Sequence, residues 1–118
     1  LESRRDDVVS FLAAFYNAVE DLATDEEMRF EWSQEWFASE GRVYDDETMA
    51  QEIIDRPYVT KELMASEDYI LGEAMYSYAQ FNVGIGKIED WQMEYMETCY
   101  DASVLSEAIG ATVRQPEF

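Results

Sequence analysis

Carboxylates are the side chains in this sequence whose number and spacing point to chemistry. The 118 residues include 27 acidic and 8 basic ones, which gives a net charge of −19. In two segments acidic residues recur three or four positions apart, a spacing that places side chains along one face of an α-helix. With one further acidic run between those segments, the candidate residues are Glu27, Glu31, Glu35, Asp45, Asp46, Glu47, Asp90, Glu94, Glu97 and Asp101.

Catalysis and metal binding find little support in the remaining residues. The chain has no histidine, so it lacks the commonest general base and the most frequent transition-metal ligand. Acidic pairs such as Glu27 with Glu31, or Glu94 with Glu97, resemble magnesium ligands of all-helical hydrolases, but no glycine-rich phosphate-binding loop accompanies them. We therefore expect no enzymatic activity, no metal site and no cofactor.

The acidic stripes instead favour binding of a basic protein. Apart from Lys87, three residues before Asp90, neither stripe has lysine or arginine at the spacing that pairs charges along a helix. Like charges one turn apart cost about 0.2–0.5 kcal/mol each. One stripe carries a charge about every 5.4 Å, whereas a DNA strand carries a phosphate about every 3.4 Å. Two acidic helices side by side, extended by Asp45, Asp46 and Glu47, would approach the charge density of a duplex edge.

The sign of the net charge excludes other partners. Nucleic acid and the inner membrane leaflet are anionic, and direct binding to either needs clustered basic residues that this chain lacks. A basic protein, including one with a nucleic-acid groove, is the expected partner. The same acid excess would also suit a protein adapted to high salt, an interpretation that involves no partner.

Helical periodicity predicts how these residues are positioned. We expect an all-α fold, a compact bundle of four to six helices in one acidic domain over residues 1–118. A capping box at Thr24 and Glu27 opens the second helix. The predicted helical segments are 4–23, 24–41, a short one from Asp45 or Asp46 to 55, a broken region over 60–82 in which Ser66 is a second cap, and a long last helix over 87–109.

The last helix is expected to organise the core. Its apolar stripe would consist of Ile88, Trp91, Tyr95, Cys99, Ala102, Ser106 and Ile109. Trp32, Trp36 and Trp91 are predicted core anchors, Cys99 a buried thiol, and the chain after Gly110 a loose tail. A single cysteine fits a reducing cytoplasm, and no apolar run is long enough to span a bilayer.

Small size, helical pattern, strong acidity and unpaired carboxylate stripes together resemble, in character, the acidic inhibitors that phages direct against host nucleic-acid-binding systems. The resulting hypothesis is a DNA mimic that occludes the nucleic-acid groove of a host defence protein, of anti-restriction or anti-CRISPR type. The alternatives are an immunity protein that neutralises a basic toxin and an acidic subunit or adaptor of a larger complex. A magnesium-dependent hydrolase is the least favoured.

Overall fold

The computed structural model describes residues 2–118 and is mostly helical. Within these residues there are seven α-helices and no β-strand, so the all-α prediction is confirmed and the predicted number of helices is slightly too low. A short 3₁₀ helix, Glu2–Arg4, precedes them. The helices are α1 (Arg5–Thr24), α2 (Glu26–Ser39), α3 (Asp46–Asp55), α4 (Lys61–Met64), α5 (Glu73–Gly84), α6 (Asp90–Glu97) and α7 (Ser103–Ile109).

The chain groups into two compact units. The hairpin unit comprises Ala14–Lys61, and the terminal unit comprises the residues up to Ala13 together with Glu62–Phe118. Helix α1 contributes its first residues to the terminal unit and the rest to the hairpin unit. The prediction of a single domain over 1–118 stays a prediction. None of the helices within residues 2–118 has the length and apolar character needed to cross a membrane.

In the hairpin unit, α2 and α3 pack against each other in antiparallel fashion. Arg29 near the start of α2 bonds to backbone carbonyls at the end of α3, whereas Gln34 further along α2 bonds to Asp46 at the start of α3. The cap of α2 is Asp25, which accepts a hydrogen bond from the Met28 amide at 2.9 Å, so the predicted cap at Thr24 is wrong. Met49 of α3 is completely buried.

The core of the terminal unit lies around α7 and the chain that follows it. Its buried apolar residues are Met64, Met93, Ala102, Val104, Leu105 and Val113. The predicted loose tail is wrong, because the backbone amide of Val113 donates to Ser106 Oγ at 2.9 Å and the carbonyl of Arg114 accepts from the Leu71 amide at 2.8 Å. These bonds attach the segment after Gly110 to two other parts of the unit.

The predicted long helix over 87–109 is divided into α6 and α7. Thr98 Oγ1 donates to the Tyr95 carbonyl, and the Asp101 carboxylate accepts from both the amide and the hydroxyl of Ser103. Short polar side chains that bond to nearby backbone compete with helical hydrogen bonds, which explains the interruption. The Ala102 amide donates to Gln115 Oε1 at 2.8 Å, a bond that further favours a new helix start here.

This break changes which residues are buried. Trp91 and Tyr95 are 60% and 68% exposed, and Cys99 is exposed as well, so the predicted apolar stripe and the buried thiol are wrong. Ala102 alone of that stripe belongs to the buried core. Because α7 starts in a new register, Val104 and Leu105 face inward where the continuous helix would have placed Ser106.

The region before α5 also departs from the periodic pattern. Ser66 is not a helix cap, since its hydroxyl donates to the Leu63 carbonyl at the end of α4. Helix α5 begins later, after Gly72, whose φ of 75° is a conformation that glycine adopts readily. A Cβ at Gly72 would also collide with the ring of Tyr100, so glycine is required here for space as well as for conformation.

Candidate interaction surfaces

The acidic stripe predicted on α2 is present on one continuous helix. Glu27, Glu31 and Glu35 are all exposed, and α2 holds them at steps of four residues. Glu27 lies in the first turn, where the positive end of the helix dipole favours a carboxylate. Glu31 and Glu35 lie beyond that turn, so the dipole does not explain them.

The acidic run before and within α3 has local structural roles. Asp45 caps α3 by accepting from the Thr48 amide at 2.8 Å, and its hydrogen bonds to Thr48 lower the pKa of this carboxyl. Asp46 accepts from Gln34 Nε2 at 2.9 Å, which connects the start of α3 to α2. Glu47 lies in the first turn of α3. Each member of this run therefore stabilises the hairpin unit.

The second predicted stripe is divided by the break between α6 and α7. Asp90 lies in the first turn of α6, and Glu94 is exposed further along it. Glu97 at the end of α6 accepts a hydrogen bond from the Tyr76 hydroxyl at 2.9 Å, and this bond raises the pKa of Tyr76. Asp101 lies outside any helix, so its placement on the same helical face as the others is wrong.

Asp101 instead organises the start of α7. Its Oδ1 accepts from the Ser103 amide at 2.9 Å and from the Ser103 hydroxyl at 2.5 Å, and these bonds lower the pKa of Asp101. Of the ten predicted partner-binding carboxylates, three therefore have neither a hydrogen bond nor a first-turn position within residues 2–118. These three are Glu31, Glu35 and Glu94.

The charge of the candidates is not neutralised by ion pairs. In the part of the chain that the structure describes, the ion pairs are Arg4 with Asp7, Arg5 with Glu107, and Arg56 with Glu52, and none includes a candidate residue. The hairpin unit contains 13 acidic and 4 basic residues, so almost half of the net charge lies in these 48 residues. Its surface remains strongly acidic.

Next to the α2 stripe lies an apolar cleft that was not predicted from the sequence. It has a volume of about 440 Å³. Its lining comes from α1, α2, α3 and the segment after α3, and comprises Leu22, Arg29, Trp32, Ser33, Trp36, Phe37, Met49, Glu52, Ile53, Arg56 and Tyr58. Trp32 and Trp36 are 56% and 60% exposed, so the prediction that they are core anchors is wrong.

Arg29 holds one end of this cleft together. Its Nη2 donates to the carbonyls of Ile53 and Arg56 at 3.1 and 2.8 Å, which satisfies acceptors at the C-terminal end of α3. The guanidinium also lies 4.3 Å from the centre of the Tyr58 ring, a cation–π contact. The signals available in the sequence were two tryptophans four residues apart on an otherwise acidic helix, with an arginine one turn before them.

A second apolar surface lies on α5 and α6 of the terminal unit. Helices α5 and α6 contact each other. Their exposed large apolar residues are Met75, Tyr78 and Phe81 on α5, Ile85 immediately after it, and Trp91 and Tyr95 on α6. Groups of exposed large apolar side chains are common at sites of protein–protein interaction.

The carboxylates of these surfaces do not form a cluster of metal ligands. Across residues 2–118 no group of three or more histidine, cysteine, aspartate and glutamate side chains is arranged to hold a metal ion.

Comparisons with known proteins do not assign this chain to a family. No protein-family model, no curated protein and no solved structure matches it significantly.

Proposed function

We propose that this chain is an acidic protein-binding inhibitor whose partner is a basic, nucleic-acid-binding protein. The observation that carries the proposal is on α2, where Glu31 and Glu35 are exposed and directly precede the exposed Trp32 and Trp36. Within residues 2–118 neither glutamate has an ion pair. Aromatic residues supply much of the binding energy at protein interfaces, and charges supply orientation and association rate.

Inhibition would occur by occlusion of a nucleic-acid groove. The net charge of −19 attracts a basic groove over a distance set by ionic strength, and exposed carboxylates of α2 then take positions that phosphates normally occupy. No bond is made or broken. In this DNA-mimic mechanism, of anti-restriction or anti-CRISPR type, duplex DNA and this protein exclude each other from the target.

The test is capture of the partner from a lysate of the source cells at low salt, with identification by mass spectrometry. We expect recovery of a basic nucleic-acid-binding protein that added duplex DNA displaces. Recovery of a toxin that stays bound to this protein in the presence of excess DNA would support the immunity alternative instead. Capture that is unchanged when Glu31 and Glu35 are both replaced by glutamine would contradict the proposal.

A second candidate function, a subunit or adaptor of a larger assembly, is favoured by the apolar surface on α5 and α6. Trp91 and Tyr95 are more than half exposed there, as is Phe81. A permanent partner would cover this surface, and obligate interfaces are more apolar than transient ones. Co-purification with a stable partner whose binding is lost in the Trp91→Ala and Tyr95→Ala double variant, and is insensitive to DNA, would favour this function.

A further inference from the structure

The charged groups that line the cleft of the hairpin unit are already engaged within the protein. Arg29 bonds to two backbone carbonyls and stacks on Tyr58, and Arg56 Nε pairs with Glu52 Oε2 at 3.2 Å. These guanidinium groups therefore support the walls and are not held ready for an anionic ligand. What remains for an occupant is mostly apolar surface, to which the exposed Trp32 and Trp36 belong.

The size of the cleft suits a short length of helix. Its lining on α2 runs from Arg29 to Phe37, which corresponds to about 12 Å along the helix axis. A partner helix would pass two turns over that length and present apolar side chains at positions i, i+3 or i+4, and i+7. The volume of about 440 Å³ accommodates more than a single small side chain.

Charge decides which helix fits. The hairpin unit carries 13 acidic and 4 basic residues, and Glu31 and Glu35 directly precede the two tryptophans of the cleft. A second copy of this chain would bring two strongly negative surfaces together, which self-repulsion disfavours. A lysine- or arginine-rich helix gains from the same field.

From these observations we infer that the cleft binds the apolar face of a basic amphipathic helix belonging to the partner. Bulky apolar side chains of that helix enter between Trp32 and Trp36 on α2 and Met49 and Ile53 on α3, while its basic residues meet Glu31 and Glu35. The inference rests on the proposed function, because it takes a basic partner as its starting point. It adds the structural element of the partner that is recognised and the cleft that recognises it.

Tryptophan fluorescence and calorimetry test the inference with a synthetic amphipathic peptide of leucine and lysine. The full chain carries Trp91→Phe, so that Trp32 and Trp36 report on the cleft alone. We expect saturable binding with a blue shift of the emission. A second peptide with alanine replacing leucine keeps the charge and loses the anchors, and it should bind at least about tenfold more weakly, as expected for hot-spot contacts.

Two variants separate the anchors from the charges. Trp36→Ala should weaken binding of the leucine peptide about tenfold at every salt concentration, since an exposed aromatic anchor is lost. The Glu31→Gln and Glu35→Gln double variant should instead reduce the dependence of affinity on salt. Circular dichroism melting of each variant verifies that the fold is retained. Ile54→Ala is the matched control that should bind as the parent does, because Ile54 is an exposed apolar residue of α3 outside the lining of the cleft.

Several results would overturn the inference. Equal affinity for the leucine and alanine peptides, or an unchanged affinity in Trp36→Ala, would show that charge alone binds and that the cleft is not the site, while leaving the proposed function intact. Three further results would each assign the cleft another role. The peptide could fail to bind, the protein could form a concentration-dependent dimer that buries the tryptophans, or the peptide could fail to displace an apolar dye from the cleft. The proposed function is tested separately. It would be contradicted if capture of the partner from lysate were unchanged in the Glu31→Gln and Glu35→Gln double variant.

Discussion

The acidic residues of α2 and those around α6 have similar spacing in the sequence and different positions in the structure. On α2, Glu27, Glu31 and Glu35 share one helix of 14 residues and one face of it. Around α6, the helix ends at Glu97, which bonds to Tyr76, and Asp101 lies beyond it and bonds to Ser103. Equal spacing thus produces an uninterrupted charged face only where the helix is long enough.

Carboxylates that serve folding differ in their contacts from carboxylates that do not. Asp45 and Asp101 accept backbone hydrogen bonds at helix starts, where each satisfies an amide of the first turn. Glu31 and Glu35 have no such bond within residues 2–118 and lie beside an exposed aromatic cleft. Acidity as such is therefore a weak indicator of function, and acidity without a local structural role is a stronger one.

The largest expected effect concerns the core that replaces the predicted stripe of α6 and α7. Leu105→Ala should lower the free energy of unfolding by about 2–5 kcal/mol, because a buried leucine loses its contacts and leaves a cavity. Tyr95→Ala should change it by no more than about 0.5 kcal/mol, since its side chain is largely exposed. Urea denaturation of both variants measures the difference. Equal losses of unfolding free energy would instead support the predicted continuous helix over 87–109.

A smaller effect is expected in the hairpin unit when the end of α3 loses its side-chain donor. Arg29→Met leaves the carbonyls of Ile53 and Arg56 without their partner and removes the contact with Tyr58, at an expected cost of about 1–3 kcal/mol. The exposed Arg42 provides the matched control as Arg42→Met. A loss in Arg29→Met no greater than in the control would mean that this arginine is free for a ligand.

The pH dependence of stability should distinguish the carboxylates that cap helices. The pKa values of Asp45 and Asp101 are lowered from 3.8 in the folded protein by hydrogen bonds to Thr48 and Ser103. A lowered folded pKa gives stability that is present above the unfolded pKa and is lost as pH falls through the folded value. The destabilisation caused by Asp45→Asn and Asp101→Asn should therefore shrink as the pH is lowered below about 4, which thermal melts at successive pH values would show. A penalty that stays constant down to about pH 2 would contradict this assignment.

The smallest effect on the free energy of unfolding is expected for Glu31 and Glu35 of α2. Replacing Glu31 and Glu35 by glutamine relieves repulsion between like charges one turn apart, so the free energy of unfolding should stay the same or rise by about 0.2–0.5 kcal/mol. The exposed Glu62 and Glu67 of the terminal unit, replaced in the same way, provide the matched change in net charge. A clear loss of stability only in the α2 variant would show that these residues serve folding.

Several features of the fold could be predicted because they depend on local sequence. The start of α3 at Asp45, its end before Pro57 and the stop of α7 at Gly110 follow from capping chemistry and from the restrictions on residues near proline and glycine. The break between α6 and α7 could not be predicted from periodicity, since it depends on Gln115, thirteen residues further along the chain, and on competing bonds from Thr98 and Asp101.

The cleft could not be predicted for a related reason. Helical spacing placed Trp32 and Trp36 together correctly, but spacing does not reveal whether a shared face is covered. The rest of the cleft comes largely from α3 and the segment after it, and bonds from Arg29 join α2 to the end of α3. Such contacts between elements have no periodic signature.

The central claim is that Glu31 and Glu35 serve partner binding and not folding. The most direct measurement is the affinity of the captured partner for the parent protein and for its Glu31→Gln and Glu35→Gln double variant across a range of salt concentrations. We predict weaker binding and a shallower salt dependence in that variant, with Glu62→Gln and Glu67→Gln close to the parent. Identical affinity and salt dependence in all three proteins would contradict the claim.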